Sequence, residues 1–319
     1  MRGAILALAG CAATLLAGCG SSAATGGDGG GPPDDLSASE PTDGGTPGDG
    51  STAAATILLT LDAGAFAPTA AHPSALVYLP SHFDPTPPLS VIVFIHGFSN
   101  CVENVVRDAD GECTPGGGTR AAYALAAQLE ATNKNALLLV PEIDFDAQTG
   151  APGNLGTTDG FKALLTETLA DLAGPLHGAT VADVGTLIVT SHSGGYQATA
   201  GIASKGGIPV DEIDLFDSLY GNTTDFDAWA KAVMPGKRFT DFYTQGGGTL
   251  ANSQAMATRA ASGSWVPAAQ LLDDRTTDTL TDAQYAHELI FKLSGLSHDG
   301  VPAYYFGKVI GTSVLAPKK

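Results

Sequence analysis

Short runs of apolar residues recur along the chain from residue 53 onwards, and longer segments with helical spacing separate them. The runs are rich in β-branched residues and too short for buried helices, which indicates strands that are buried on both faces. Strands that alternate with helices predict the α/β class, with a mostly parallel central sheet and helices on both faces. We predict strands at 56–62, 74–79, 91–95, 136–140, 186–190, 212–216, 238–244 and 288–293.

The segments between the strands end at glycines, prolines and polar clusters, as helices do. Asp159 is the predicted N-cap of the second helix. Residues 258–286 are polar and weakly patterned, and two interpretations of them stay open, a lid and a plain connection. The elements fill residues 53–319, which suffice for one domain with a substantial core. We predict helices at 119–132, 159–172, 194–204, 250–261 and 301–310.

The first residues of the chain have the pattern of a targeting segment. Arg2 precedes an apolar stretch at 4–17 that is too short to span a bilayer comfortably. The stretch ends in LAGC, which resembles a bacterial lipobox, so we predict a signal peptide at 1–18 and lipidation of Cys19. An ordinary secretory signal with a chance cysteine is the alternative. Because Gly rather than Asp follows the cysteine, the resemblance implies a bacterial outer-membrane or cell-surface location rather than the inner membrane.

Residues 19–52 consist mainly of Gly, Ser, Pro, Thr and Asp. Such a segment buries too little apolar surface to offset the entropy of ordering it, so we predict a disordered tether. The whole chain carries a formal charge of −18. This charge argues against nucleic acid as a partner and against electrostatic docking on anionic lipid. We therefore expect the acylated Cys19 to be the attachment to the bilayer.

Two cysteines remain once the predicted signal peptide and the lipidated residue are set aside. Cys101 and Cys113 lie twelve positions apart, in a chain predicted to be exported to an oxidising compartment. We predict a disulfide between them, worth about 3 kcal/mol through the entropy of the closed loop. No His or Cys lies at metal-ligand spacing around them, so we expect no metal.

A turn around one serine is the strongest chemical signal in the chain. Residues 187–196 read LIVTSHSGGY, an apolar strand that stops at a Ser-Gly-Gly turn. Small residues two positions before and after Ser193, namely Ser191 and Gly195, allow the strand and the following helix to approach closely. The segment is G-x-S-x-G with Ser in the first position, and an ordinary loop is the alternative interpretation.

Two further segments accompany this turn at the ends of predicted strands. Residues 91–100 read VIVFIHGFSN, and residues 293–307 read LSGLSHDGVPAYYFG. With these three features, residues 56–316 resemble a serine α/β-hydrolase of the esterase and lipase type, here on a bacterial lipoprotein. The resemblance implies the α/β-hydrolase fold, and it implies no metal and no organic cofactor.

The resemblance assigns roles to particular residues. It implies that Ser193 is the nucleophile and that His298, in the loop after the last strand, is the general base. Backbone amides of Phe98 or Ser99, together with that of Gly194, would form the oxyanion hole. We expect His96 to shape its loop. We expect His192 to point away from the nucleophile rather than to act as the base.

The triad acid departs from the usual pattern. Many relatives carry it after the strand that here ends in FYTQGGG, at 242–248, where this chain has no carboxylate. Asp217 follows the preceding strand, and burial there is costly unless a partner such as His298 offsets it. We predict Asp217 as the acid, with a turn cap as the alternative, and we expect residues 219–221 to line the pocket. Asn100 and Glu103 fit the pocket mouth and a helix cap equally well.

These residues predict an envelope-anchored hydrolase that cleaves carboxylic esters, small or polymeric, through an acyl-enzyme intermediate. Two other functions stay open. An amidase or peptidase would use the same triad, and a binding protein would keep the fold without catalysis.

Overall fold

The computed structural model describes residues 53–69, 72–144, 146–148 and 150–318. The predicted signal peptide at 1–18 and tether at 19–52, including Cys19, lie outside these residues. Among the helices of the described part, none combines the length and apolar character that a bilayer crossing requires.

Strands build the centre of the described domain. Those at its middle consist of continuous apolar residues that are buried throughout, as the β-branched runs predict. In chain order the strands are β1 (Ala55–Leu59), β2 (Ala75–Leu79), β3 (Leu89–Ile95), β4 (Gly111–Glu112), β5 (Thr119–Arg120), β6 (Leu137–Pro141), β7 (Val184–His192), β8 (Glu212–Phe216), β9 (Arg238–Thr244), β10 (Leu271–Asp274) and β11 (Leu289–Ser294).

Nine of these strands form one sheet in the order β1-β2-β6-β3-β7-β8-β9-β11-β10. Strand β2 is antiparallel to both of its neighbours, and every other pairing is parallel. The predicted mostly parallel sheet is therefore confirmed. Because β3, β7, β8 and β11 are parallel, their carboxyl ends lie at the same edge of the sheet, and the loops that leave that edge carry the candidate site.

Helices cover both faces of the sheet and complete two hydrophobic cores. Alternate residues of β3 point to opposite faces, with Val93 in one core and Phe94 in the other. Helices α3 to α6 pack in the first core, and α1, α2 and α8 pack in the second. In chain order the helices are α1 (Val102–Val106), α2 (Leu125–Ala131), α3 (Gly160–Asp171), α4 (Tyr196–Lys205), α5 (Thr223–Val233), α6 (Leu250–Gly263), α7 (Asp282–Tyr285) and α8 (Gly300–Thr312).

Local conformation differs from the sequence prediction at two helix starts. The helix predicted from residue 119 begins only at Leu125, because Thr119–Arg120 pairs with β4 and Ala124 has a left-handed φ of 54°. Asp159 precedes α3 as predicted, but its φ is 58° and its side chain makes no capping hydrogen bond. Asp159 is therefore at the predicted position, but the prediction that its side chain caps the helix is wrong.

Residues 258–286 continue α6, add α7 and contribute one strand to the sheet. Within them, β10 pairs in parallel with β11 and forms the edge of the sheet. This edge strand is only partly buried, and its sequence LLDD carries no apolar run. The stretch is thus a connection with an edge strand of its own.

The predicted disulfide is present between Cys101 and Cys113. Their Cα atoms lie 5.7 Å apart, and the bond ties the residue that precedes α1 to the loop that follows β4. Because the loop leads back through β5 to α2, the disulfide limits how far this segment moves from the end of β3.

One acidic side chain is buried in the first core without a cationic neighbour. Asp241 lies in the middle of β9, where burial raises the pKa of its carboxyl to about 8, although the nearby Ser253 side chain acts in the opposite direction. Below this pH the folded protein therefore keeps Asp241 protonated. The unfolded chain loses that proton at a pKa near 3.8.

We predict that the variant Asp241→Asn is less sensitive to alkaline pH than the wild type. Above the unfolded pKa, the wild type loses about 1.4 kcal/mol of stability per pH unit from this residue until the pH reaches its folded pKa. The free energy of unfolding, measured with urea, should therefore fall between pH 5 and pH 8 by about 3 kcal/mol less in the variant than in the wild type. Asp282→Asn, at an exposed position on α7, is the control. Equal pH slopes for Asp241→Asn and wild type would contradict this account.

Candidate active site

The serine turn leaves β7 in a strained conformation. Ser193 has a φ of 51°, in the left-handed region that costs a non-glycine residue about 1–2 kcal/mol. A Cβ atom added to Gly97 would lie only 2.6 Å from the Cβ of Ser193. The glycine after β3 therefore allows the turn to press against the neighbouring loop. The side chain of Ser193 stays partly exposed, as a nucleophile requires.

The unusual Ser191 has a structural role beside this turn. The hydroxyl of Ser218 donates a hydrogen bond to the backbone oxygen of Ser193 at 2.8 Å. The hydroxyls of Ser191 and Ser218 lie 2.9 Å apart. Because Ser218 has already given its proton, Ser191 is the donor of that bond. The serine in the first position of the motif thus helps to fix the strained turn.

Asp217 and His298 are brought into direct contact. His298 Nδ1 lies 2.7 Å from Asp217 Oδ2, and Asp217 is fully buried at the end of β8 with a φ of 47°. Burial alone would raise the pKa of Asp217, but hydrogen bonds from His298, Thr249 and Thr244 lower it below its usual value. The carboxylate is therefore ionised, so His298 Nδ1 donates the bond and its Nε2 is left as an acceptor.

Two threonines account for how a carboxylate is stabilised at this buried position. The backbone N–H of Thr244 donates to Asp217 Oδ1 at 3.0 Å, and its hydroxyl donates to Oδ2 at 2.7 Å. The hydroxyl of Thr249 donates to Oδ1 as well. A Cβ atom on Gly247 would collide with Oδ2 of Asp217. The carboxylate that follows β8 thus packs against the loop that follows β9.

The loop after β3 lies against the serine turn. A Cβ atom on Gly195 would lie 2.7 Å from the backbone oxygen of Ile95, so the end of β3 packs closely against the turn. In the loop that follows, Phe98 is 46% exposed and Ser99 has a φ of 62°. His96 is fully buried, and its Nδ1 donates to the Gly97 oxygen at 2.9 Å. Burial lowers the pKa of His96, but Glu142, 2.9 Å from its Nε2, raises it above the usual value. His96 therefore shapes the loop, as expected.

Asn100 and Glu103 have separate positions. Asn100 is buried, and its side-chain oxygen accepts hydrogen bonds from the backbone of Cys101 and the side chain of Asn104. Glu103 is exposed in the first turn of α1. The N-cap of α1 is Cys101, and its side chain makes no capping hydrogen bond, so the predicted cap by Asn100 or Glu103 is wrong.

His192 is buried beside the site and contacts His298 rather than the solvent. Burial, with the neighbouring His298, holds the pKa of His192 well below its usual value. Its Nδ1 lies 2.8 Å from the hydroxyl of Tyr123, and its Nε2 lies 3.2 Å from the backbone oxygen of His298. Both ring nitrogens are thus engaged away from Ser193.

Tyr220 and a polar cavity extend the site. The ring of Tyr220 is nearly perpendicular to that of His298 at a centroid distance of 6.3 Å, and Ser193 lies close enough to influence the pKa of the Tyr220 hydroxyl. Burial raises the pKa of Tyr220 to about 12, so its hydroxyl remains a donor. A cavity of about 210 Å³ adjoins the loop after β3, and Ser99, Cys113, Thr114, Arg120 and Asp146 are among its lining residues.

Tyr123, Arg120 and Asp146 belong to none of the sequence motifs that predict the site. Tyr123 contacts His192 across 69 positions of sequence, and no local pattern encodes such a contact.

Among the described residues, the ligand atoms of His192, His298 and Asp299 lie within 4.8 Å of one another. In the conformation described here, Nε2 of His192 contacts the His298 carbonyl and Nδ1 of His298 binds Asp217. His192 has both ring nitrogens engaged, by Tyr123 and by the His298 carbonyl, whereas His298 keeps Nε2 free. The cluster therefore offers an ion no free nitrogen from His192 and makes a poor metal site.

Known structures share this architecture at low sequence identity. A scan against protein-family models finds no match, and neither does a search of the curated proteins. A feruloyl esterase module from Clostridium thermocellum, complexed with sinapinate, matches with a TM-score of 0.52 at 12% identity, over 82% of this chain and 88% of that one. Fluorophosphonate-binding serine hydrolase F from Staphylococcus aureus matches with a TM-score of 0.48 at 9% identity, over 83% and 100%.

The sheet order and the first of these similarities define the class of fold. The chain has the α/β-hydrolase fold, with a mostly parallel central sheet and helices on both faces. At 12% identity the likeness extends to the fold alone.

We predict that Gly97→Ala destabilises the protein through the serine turn. The added methyl group would lie 2.6 Å from the Cβ of Ser193, so the loop or the turn must shift. Overpacking of this kind costs about 1–3 kcal/mol, measured as the change in the free energy of urea unfolding. Gly246→Ala is the matched control, since a Cβ there meets nothing within 4 Å. Equal stabilities of the two variants would argue against the close approach.

Proposed function

We propose that this protein is a serine hydrolase that cleaves carboxylic esters through an acyl-enzyme intermediate. The observation that carries the proposal is the 2.7 Å bond between buried Asp217 and His298, beside a strained turn that presents Ser193. A buried, ionised carboxylate on imidazole Nδ1 directs the opposite nitrogen to accept a proton. The α/β-hydrolase fold, which the feruloyl esterase module shares, supports this function.

In the proposed reaction, Ser193 Oγ attacks the ester carbonyl while His298 Nε2 takes its proton. The tetrahedral oxyanion receives hydrogen bonds from the amide of Gly194 and from an amide at Phe98 or Ser99. Collapse releases the alcohol, which leaves with the proton from His298. Water then attacks the acyl-enzyme, again with His298 as base, and frees the acid and Ser193.

The residues before the domain support a proposal about its place in the cell. We infer that acylation of Cys19 anchors the enzyme in a bacterial envelope and that residues 19–52 hold it away from the bilayer. The segment LAGC and the absence of Asp after the cysteine support the outer membrane or the cell surface.

A fluorophosphonate probe tests the nucleophile directly. We predict stoichiometric labelling of the wild type, none of Ser193→Ala, and full labelling of Ser204→Ala, a control at the far, C-terminal end of α4. Labelling depends on an activated serine, which only a neighbouring base provides. Well-folded wild type that stays unlabelled would favour a binding protein that keeps the fold without catalysis.

We predict that Asp217→Asn lowers kcat on p-nitrophenyl esters by about 10³- to 10⁴-fold, since the amide no longer fixes the imidazole tautomer. Asp282→Asn, with an exposed carboxylate on α7, should match the wild type. Near-normal turnover of Asp217→Asn would place the acid elsewhere. The same kinetics with p-nitroanilides separates the two hydrolase classes, and faster cleavage of anilides than of esters would favour an amidase or peptidase.

A further inference from the structure

Two buried aromatic side chains join the loops that carry the candidate triad. Tyr123 and His192 are each 1% exposed, and their rings meet edge to face at a centroid distance of 5.1 Å. Tyr123 immediately precedes the left-handed residue that starts α2, and His192 is the last residue of β7, directly before Ser193. The rings of His192 and His298 lie 4.3 Å apart.

The chemistry of these groups determines which atom donates in each hydrogen bond. The backbone oxygen of His298 is an acceptor only, so His192 Nε2 must carry the proton and donate at 3.2 Å. Burial disfavours a second proton on the ring, because it lowers the pKa of His192 well below the usual value. Nδ1 of His192 is therefore an acceptor, and the hydroxyl of Tyr123 is its donor at 2.8 Å. Two hydrogen bonds in series, from Tyr123 to His192 and from His192 to the His298 carbonyl, thus end on the loop that carries the candidate base.

These two hydrogen bonds complement the bond to Asp217. Asp217 holds the ring of His298 through Nδ1, whereas His192 holds the backbone carbonyl of the same residue. Residues 295–297 are exposed, and the His298 carbonyl also accepts a hydrogen bond from the backbone N–H of Val301 at 3.3 Å. His192 therefore adds a side-chain contact from β7 to a loop that is otherwise held by the first turn of α8, and misplacement of a catalytic group by about 1 Å can cost 10²-fold in rate.

Tyr123 also reaches the other side of the site. Asn100, at the end of the loop after β3, and Asp299 lie close enough to Tyr123 to influence the pKa of its hydroxyl. Burial, with the charge of Asp299, raises that pKa far above the usual value, so the phenol stays protonated and can donate its proton to His192. Tyr123 thus lies between the segments that carry the candidate oxyanion hole and the candidate base.

We propose that Tyr123 and His192 are positioning residues that hold the backbone of His298 in register with Ser193. The proposal rests on the hydrolase function inferred above. Neither side chain touches the substrate in this account. Their effect is on the chemical step, and substrate binding should be nearly independent of them.

The test replaces each hydrogen bond in turn and measures kcat and KM on a p-nitrophenyl ester. His192→Phe keeps a ring but has no donor, and we expect kcat to fall about 10- to 100-fold with KM within about twofold. His192→Gln restores an N–H donor towards the His298 carbonyl, and we expect it to recover most of the loss. Tyr123→Phe removes one hydroxyl, and we expect kcat to fall about five- to tenfold. Tyr304→Phe, at an exposed tyrosine of α8, should equal the wild type.

Rescue by glutamine, together with the separation of kcat from KM, distinguishes positioning from a role in folding. If His192→Phe does not fold, Tyr123→Phe and His192→Gln decide the question alone. Wild-type kcat in Tyr123→Phe and in any folded His192→Phe would overturn the proposal, and so would equal losses in His192→Phe and His192→Gln. Failure of the wild type itself to react with a fluorophosphonate would instead refute the hydrolase function.

Discussion

The bond between Asp217 and His298 is the interaction on which the site depends. A fully buried carboxylate is unfavourable unless its oxygens are satisfied, and here an imidazole, two threonine hydroxyls and one backbone N–H satisfy them. The strands bring these donors together, because β8 and β9 are neighbours and both point towards the same edge. The lowered pKa of Asp217 follows from this set of bonds, and the ionised carboxylate in turn fixes which nitrogen of His298 accepts a proton.

Close backbone packing stabilises the other part of the site, the turn that carries Ser193. Ser193 is held at a positive φ by neighbours that leave no space for an extra methyl group, and Ser218 binds its carbonyl oxygen. Strain at such a residue persists only where the surrounding structure determines it. Here the sheet constrains the turn, since residues 90–95 of β3 pair without interruption with residues 186–191 of β7 directly beneath it.

The parts of this arrangement that have local causes could be predicted from sequence. Buried parallel strands leave continuous apolar runs, and an unpaired buried carboxylate at Asp217 would be too costly, which pointed to a partner such as His298. The edge strand β10 has no such run, and the N-terminal start of α2 depends on a hairpin rather than on helical spacing. The Tyr123–His192 contact could not be predicted, because it arises where distant loops meet in the folded chain.

The most direct test of the account is a crystal structure of the protein after reaction with diethyl p-nitrophenyl phosphate. We predict phosphorus bonded to Ser193 Oγ, with the phosphoryl oxygen within hydrogen-bond distance of the Gly194 amide and of an amide at 98–99. The bond between Asp217 and His298 should remain. An adduct on any other residue, or a phosphoryl oxygen turned away from both amides, would contradict the account.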